Sequence, residues 1–291
     1  MTRLSVSKWQ GTGNDFVLLD DGEMRASYDE VARRLCDRRF GVGADGLIVM
    51  LAPRAPGADL AIRIFNADGT EAETCGNGLR CVALARTNGA RGALAIETTS
   101  GMVRAEVLDG ASVRVDMGEP SFARRDIPMT GPPLARAIGV PVEIAGEPVY
   151  VCGVSLGNPH CVVFAHDGAG NGARAPDPQA LAAALNDASL FPRGVNVEVV
   201  TVCDRHGLAM RVWERGVGET WACGSGACAA AVAAIETGRS GSPLRVAMRG
   251  GSVAVEWRGA GSHAFLTGPA AQTFRAEIEF DEIFSGSTEG R

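Results

Sequence analysis

Lysine is almost missing from this chain: Lys8 is the single one, and the other 27 basic residues are arginine. An enzyme built on pyridoxal phosphate needs a lysine for its Schiff base. The only candidate lies in a strand-like segment near the start of the chain, so that chemistry is set aside and no cofactor is expected. A basic excess is missing too. The net charge is −6, which argues against a nucleic-acid partner. No apolar run is long enough to span a bilayer, and the opening MTRLSVSKWQGTGNDF has no signal-type apolar core. The expectation is a cytoplasmic protein with no membrane partner. The eight cysteines show none of the C-x2-C spacing of common zinc sites. Cys75 and Cys81 are separated by five residues and Cys223 and Cys228 by four, so no metal is expected. In a cytoplasmic chain of this size the cysteines are not expected to form a disulfide framework.

What the chain does have is a repeat. RIFNADGTEAETCGNGLRCVALA, Arg63 to Ala85, matches RVWERGVGETWACGSGACAA, Arg211 to Ala230. Arg63 meets Arg211, Phe65 meets Trp213, Glu71 meets Glu219 and Cys75 meets Cys223, at a constant offset of 148 positions. GTGNDFVLL around Asn14 matches SLGNPHCVV around Asn158 at an offset of 144, a slip that a loop change absorbs. Two copies of one unit place two cysteines at equivalent positions. At 291 residues with 46% hydrophobic content the chain can bury the cores of two medium units.

Along the chain, strands are expected at 4–9 and 16–20, followed by a helix that a Ser27-x-x-Glu30 capping box opens and Gly41 stops after about Arg39. GVGADGLIVML turns into an apolar strand, and Leu60–Asn66 is another. A helix over 76–88 ends at Asn88-Gly89, and alternating segments at 93–98, 102–108 and 112–117 follow. MGEPSF, Met117 to Phe122, crosses into the second unit. Strands at 147–155 and 160–165 repeat the opening pair. DGAGNGARAPDP from Asp167 reads as a flexible insertion, and Asp177-Pro178 starts a helix to about Asn186. Strands at 195–202 and 207–213, a helix over 224–236 and strands at 244–248, 252–258 and 263–267 complete the second copy. Phe274–Phe280 returns to the first unit's sheet, and SGSTEGR reads as a disordered tail. The fold class is α+β: two similar units about a cleft. Their expected boundaries are 1–118 plus 272–291, carrying Cys75, and 119–271, carrying Cys223.

Each repeated cysteine is followed by Gly-x-Gly and a helix. A helix start leaves backbone N–H groups outside the helical ladder and carries partial positive charge, which lowers a thiol's pKa and favours the reactive thiolate. Gly76, Gly78, Gly224 and Gly226 let a ligand approach the backbone, and the same N–H groups can grip a carboxylate. A thiolate on one face of a substrate carbon and a thiol on the other invert a stereocentre without a cofactor, and they exchange acid and base roles on reversal. Cys81 and Cys228 fall inside the helices and read as core residues.

At these residues the chain resembles the diaminopimelate epimerase family. KWQGTGNDF, GVGADG, FNADGTEAETCGNG, SLGNPH, RGVNVEVV and ERGVGETWACGSGACA occur in the family's order and cover nearly the whole chain. The resemblance implies two pseudo-symmetric units of mixed and antiparallel sheet, each wrapped around a central helix, with the active site in the cleft between them. It implies that Cys75 and Cys223 are the catalytic acid and base, the first as proton donor and the second as acceptor in one direction. Asn14, Asn66, Asn158 and Asn196 would line the substrate site, and Gly76-Asn77 and Gly224-Ser225 would hold the reacting carboxylate. Glu214 and Arg215 would meet the ammonium and carboxylate at the substrate's far end, and His160 and Glu214 would tune the cysteines. Alone, Glu214-Arg215 reads as a surface pair, an Asn in a Gly-rich turn as a turn residue, and His160 as a structural histidine; their place in the repeated motifs promotes them.

Three departures stand out. Gly46 stands where some members carry Gln, Ser225 where Thr is more frequent, and Phe274 where some have a Tyr near the contact of the homodimer that the resemblance implies. The implied function is interconversion of LL- and meso-diaminopimelate in lysine and peptidoglycan precursor biosynthesis. The alternatives are a proline or hydroxyproline racemase of the same fold, whose compact ring substrate has no need of Glu214-Arg215, and a non-catalytic thiol or zinc protein.

Overall fold

A computed structural model describes residues 3–20, 27–144, 146–165, 177–187 and 189–279. The SGSTEGR tail and most of the segment from Asp167 lie outside them. Contacts divide the chain into one unit of Met1–Val115 with Gly268–Arg291 and another of Asp116–Thr267. The architecture is sheet-dominated α+β with four α-helices among the described residues. None of those helices is long and apolar enough to cross a membrane.

The two units repeat one plan. In the first, the strand Arg3–Gly11 forms a hairpin with Asn14–Asp20, and the helix Tyr28–Leu35 carries the chain over to Gly46–Leu51, parallel to Asn14–Asp20. Leu60–Asn66 then pairs antiparallel with Gly46–Leu51. The cysteine helix Gly76–Thr87 follows, and Gly92–Thr98 adds parallel to Leu60–Asn66 and begins a three-stranded meander. In the second unit, Glu147–Ser155 and Pro159–Phe164 form the hairpin. The helix Pro178–Asp187 crosses to Asn196–Asp204, parallel to Pro159–Phe164. Gly207–Glu214 returns antiparallel, the cysteine helix Gly224–Glu236 follows, and Leu244–Met248 adds parallel. The register matches as well: Phe16 lies opposite Gly46 in one unit and His160 opposite Asn196 in the other.

Composition explains the inner position of the second cysteine helix. Residues 224–234 are all buried and apart from Ser225 are Gly, Ala, Cys or Val. A helix with no polar face must be enclosed. It packs with Val154, Val162, Val200, Leu208, Val212 and Trp257 in one apolar cluster. Gly76–Thr87 is buried from Gly76 to Leu84 and carries one internal charge, Arg80.

Several expectations are corrected in detail. The first helix ends at Leu35 with Cys36 as its cap, short of Arg39, because the Asp37 carboxylate accepts from the Arg39 and Phe40 N–H groups and draws them into a turn. Ser27 stands at that helix's N-cap without a side-chain cap bond, and its hydroxyl engages Asp29 instead. A strand at Val140–Ile144, pairing with Glu147–Ser155, was not expected. The last strand of the second copy runs Phe265–Pro269, and His263 lies before it, bonded to Asp116. The C-terminal strand Ala271–Glu279 pairs antiparallel with Arg3–Gly11.

The first cysteine helix stops where the sequence says it should. Asn88 is left-handed at φ 51°, and Gly89 N–H reaches back to the Leu84 carbonyl at 3.0 Å, a closure that suits Gly or Asn. Asn88→Ala is expected to lower stability by about 1–2 kcal/mol relative to Asn88→Gly, measured by urea denaturation of the two variants.

Candidate active site

Each unit presents a cysteine at a helix start. Cys75 is the N-cap of Gly76–Thr87, with extended backbone at φ −150° and ψ 108°. Its sulfur accepts from the Gly78 N–H at 3.4 Å. Cys223 caps Gly224–Glu236 in the same way, at φ −124° and ψ 116°, and its sulfur accepts from the Gly226 N–H at 3.4 Å. The matched residues of the repeat hold the approach to each cap. Arg63 clamps Glu71 through two bonds of 2.8 and 2.7 Å, and Arg211 clamps Glu219 through two of 2.8 and 3.0 Å. These forked pairs tie each short strand before the cysteine to its neighbour.

Around Cys75 the first unit gathers Asn14 and Asn77. Asn14 Oδ1 accepts from Asn77 Nδ2 at 3.1 Å and lies 3.8 Å from the Cys75 sulfur. Asn14 Nδ2 donates to Asp45 at 2.8 Å, which fixes the amide's orientation. Arg80 is wholly buried. It donates to Asn77 Oδ1 at 2.9 Å, to Thr12 at 3.2 Å, and to the Gly76 and Pro269 carbonyls at 3.3 and 3.2 Å. Asn66 is engaged by Thr70 in its own turn at 2.9 Å and does not join the Asn14–Asn77 set. Beneath Asn14, Asp15 pairs with Lys8 and Arg38, each at 2.8 Å, so the lone lysine is a structural cation. Gly46 leaves no room for a side chain without movement, since a Cβ there would meet the Phe65 carbonyl at 2.7 Å.

Around Cys223 the second unit gathers Ser225, Asn158, His160 and Glu214. The Ser225 hydroxyl lies 3.5 Å from the sulfur. Asn158 Nδ2 donates to Ser225 at 3.3 Å, and Asn158 Oδ1 lies 2.9 Å from His160 Nε2. Glu214 bonds to Thr220 and to the Cys223 thiol. Asn196 donates to the Pro159 carbonyl at 3.0 Å and accepts from the Arg215 N–H at 2.8 Å, placing it behind Arg215. The Arg215 guanidinium donates to the Arg193 carbonyl at 3.1 Å.

Electrostatics separate Cys223 from the helix-start expectation. Burial comes first, then the charges of Glu214 and Glu198, and together they push its thiol well above the ordinary value. Ser225 and the Gly226 N–H pull the other way. Glu214 is itself raised by burial, against the pull of Thr220, Cys223 and His160. Burial also pushes the Cys36 and Cys81 thiols up to about 12, and Cys228 is fully buried, so these three are inert core residues.

Sequence reasoning passed over Asp45, Arg80 and Glu198. Asp45 and Glu198 lie inside quoted motifs. Glu198 carries a signal: it is the one charged side chain in the apolar run Val195–Val200.

The comparisons agree with one another. The family model for diaminopimelate epimerase matches residues 6–123 and 152–273. The diaminopimelate epimerase of Moorella thermoacetica is 45% identical over 285 residues, covering 94% of this chain and 99% of that protein. That of Pseudomonas entomophila is 40% identical over 279 residues, covering 94% and 99%. Among solved structures, a hydroxyproline epimerase from Agrobacterium vitis with bound trans-4-hydroxy-L-proline aligns at a TM-score of 0.70 and 16% identity, covering 96% of this chain and 93% of that one. A PhzF-family phenazine biosynthesis protein from Bacillus anthracis aligns at 0.67 and 17%, covering 96% and 100%. At such identities the structural matches establish the fold alone.

Two tests follow from this geometry. Burial raises the Asp15 carboxyl, but Arg38 and Lys8 outweigh it and hold the group at about 2 rather than 3.8. Its stabilisation is therefore complete above about pH 4 and lost as pH falls through about 2. Asp15→Asn is expected to flatten the urea midpoint against pH across that window. Cys75 is half-buried and Cys223 buried beside two carboxylates. Limiting iodoacetamide at neutral pH is expected to modify Cys75 first, read by peptide mass spectrometry.

Proposed function

The chain belongs to the diaminopimelate epimerase family, and from that membership we infer that it interconverts LL- and meso-2,6-diaminopimelate by proton transfer at one α-carbon. The observation that carries the reading is the pair of cysteines capping equivalent helix starts, one in each copy of the repeat. Cys75 and Cys223 act as the two acid–base groups, on opposite faces of the α-carbon. Burial and the carboxylates of Glu214 and Glu198 favour the thiol form of Cys223. That makes it the acid in the resting protein and Cys75 the base, with the roles exchanged on return.

The first-turn N–H groups at Gly76-Asn77 and Gly224-Ser225 grip the α-carboxylate and stabilise charge that develops on it as the proton leaves. Asn14 and Asn158 orient the substrate beside the sulfurs, Asn66 faces it from the turn it shares with Thr70, and Asn196 supports the lining from behind Arg215. Arg215 offers a planar fork to the distal carboxylate, and Glu214 a charge to the distal ammonium. Glu214 and His160 also set the proton affinity of Cys223. The activity supplies lysine and peptidoglycan precursors in the cytoplasm. The hydroxyproline epimerase likeness extends to the fold only; the match to diaminopimelate epimerases runs nearly end to end.

The reduced protein, incubated with LL-diaminopimelate in D2O without added cofactor, is expected to incorporate deuterium at one α-carbon and to yield the meso isomer. L-proline under the same conditions should show no exchange. Cys75→Ser and Cys223→Ser should each lose on the order of 1,000-fold in kcat, and Arg215→Met should act mainly on KM. Exchange into proline but not diaminopimelate, read by NMR, would overturn the assignment.

A further inference from the structure

Beneath each cysteine helix the repeat places one strand side chain against the first turn, and the two copies differ there. In the first unit the place belongs to Ile48: a Cβ at Gly78 would stand 2.7 Å from its Cδ1. In the second it belongs to Glu198: a Cβ at Gly226 would stand 2.7 Å from its Oε1. Ile48 and Glu198 each lie two residues beyond the partner of the hairpin residue, Gly46 opposite Phe16 and Asn196 opposite His160. An apolar pair, Phe16 and Ile48, is thus replaced by an ionisable one, His160 and Glu198, at the same point of the same scaffold. Both members of that pair are wholly buried. A carboxylate in an apolar layer is costly to bury unless it is used, and Ile48 shows that the fold tolerates an aliphatic side chain at this place.

The hydrogen bonds give the pair a direction. Asn158 donates to Ser225, so its Oδ1 must accept, and His160 Nε2 therefore carries a hydrogen. His160 Nδ1 shares a proton with Glu198 Oε1 across 2.7 Å. Ser225 Oγ, having accepted from Asn158, is left to point its own hydrogen at the Cys223 sulfur, 3.5 Å away. The second carboxylate oxygen, Glu198 Oε2, is buried and has no hydrogen-bond partner among the described residues, so the His160 bond is the carboxylate's one side-chain anchor among them.

Resting on the epimerase reading above, we propose that Glu198 is a positioning residue of the Cys223 site. By holding Nδ1 of His160 it anchors the ring with Nε2–H facing Asn158 Oδ1, the start of a chain, His160 to Asn158 to Ser225, that ends in a hydrogen bond donated to the Cys223 sulfur. The chain supports the thiolate that Cys223 becomes after giving up its proton. Cys75, whose neighbour is the Asn14 carbonyl oxygen, has a different set of partners. Glu198 touches no substrate in this arrangement and acts through His160.

The test uses three variants. Glu198→Gln keeps a hydrogen-bonding partner for His160 Nδ1. Glu198→Ile removes it, and the double variant His160→Phe/Glu198→Ile copies the first unit's apolar pair. In the diaminopimelate exchange assay Glu198→Ile is expected to lower kcat on the order of 100-fold with KM within about twofold, while Glu198→Gln stays within about tenfold of wild type. The double variant is expected to regain the urea midpoint lost in Glu198→Ile without regaining kcat. A double variant with wild-type kcat, or a Glu198→Ile protein that loses stability alone, would overturn the proposal. A readout independent of the substrate assignment comes from histidine-15N-labelled protein. The His160 Nδ1 resonance should report a hydrogen-bonded nitrogen in wild type and Glu198→Gln and a nitrogen without a partner in Glu198→Ile. If wild type shows no diaminopimelate exchange, the functional reading fails while this spectrum still decides whether Glu198 holds the His160 ring; an unchanged Nδ1 signal in Glu198→Ile would refute it.

Discussion

The first turn of a helix can press onto a strand this closely only where it has no side chain of its own. Gly78 and Gly226 meet that condition, and in each case the strand's side chain occupies the space a Cβ would need. The close approach sets the position of each cap, and the cap sets the sulfur, which takes a hydrogen bond from the same glycine's N–H. Burial of both helices fixes the turn in place, and the forked Arg–Glu pairs fix the chain that enters it. A Gly-x-Gly after a cysteine is therefore a packing requirement as much as a ligand cradle.

One scaffold with two electrostatic linings suits a reaction in which an acid and a base of the same chemical type must differ at any moment. The Cys75 site is lined by amides and steadied by Arg80, a fixed cation. The Cys223 site has two carboxylates and an imidazole within its shell. Two thiols in identical surroundings would share one proton affinity, and the resting protein would have no defined direction. Divergence of a few buried residues after duplication removes that degeneracy while the backbone is retained.

Much of this was legible in the chain. The constant offset between Cys75 and Cys223, with Gly-x-Gly after each, gave the duplicated helix starts, and period-two segments gave most of the strands. What escaped has physical causes. Asp37 ended the first helix early by capturing backbone N–H groups, and the Ser27-x-x-Glu30 pattern did not become a reciprocal cap, because local side-chain bonds compete with the helix ladder. Val140–Ile144 carries a proline and a glutamate in five residues, a weak strand signal that pairing with a neighbour overrides. The helix-start argument alone lowers the Cys223 thiol, whereas desolvation and two nearby carboxylates raise it; neither depth nor neighbours can be read from spacing. Glu198 and Arg80 were overlooked for the same reason: their importance lies in what the third dimension puts beside them.

The pairing of Arg3 with Glu279 at the two ends of the described chain has a consequence for biogenesis. The strand Arg3–Gly11 leaves the ribosome well ahead of Ala271–Glu279, the neighbour it pairs with. The second unit, continuous from Asp116 to Thr267, can collapse while translation proceeds. The first unit waits with an open sheet edge until Ala271–Glu279 arrives. Completion of the first unit is therefore gated by emergence of Ala271–Glu279, and a protein truncated before Ala271 would keep its second unit intact and leave its first with an unsealed margin.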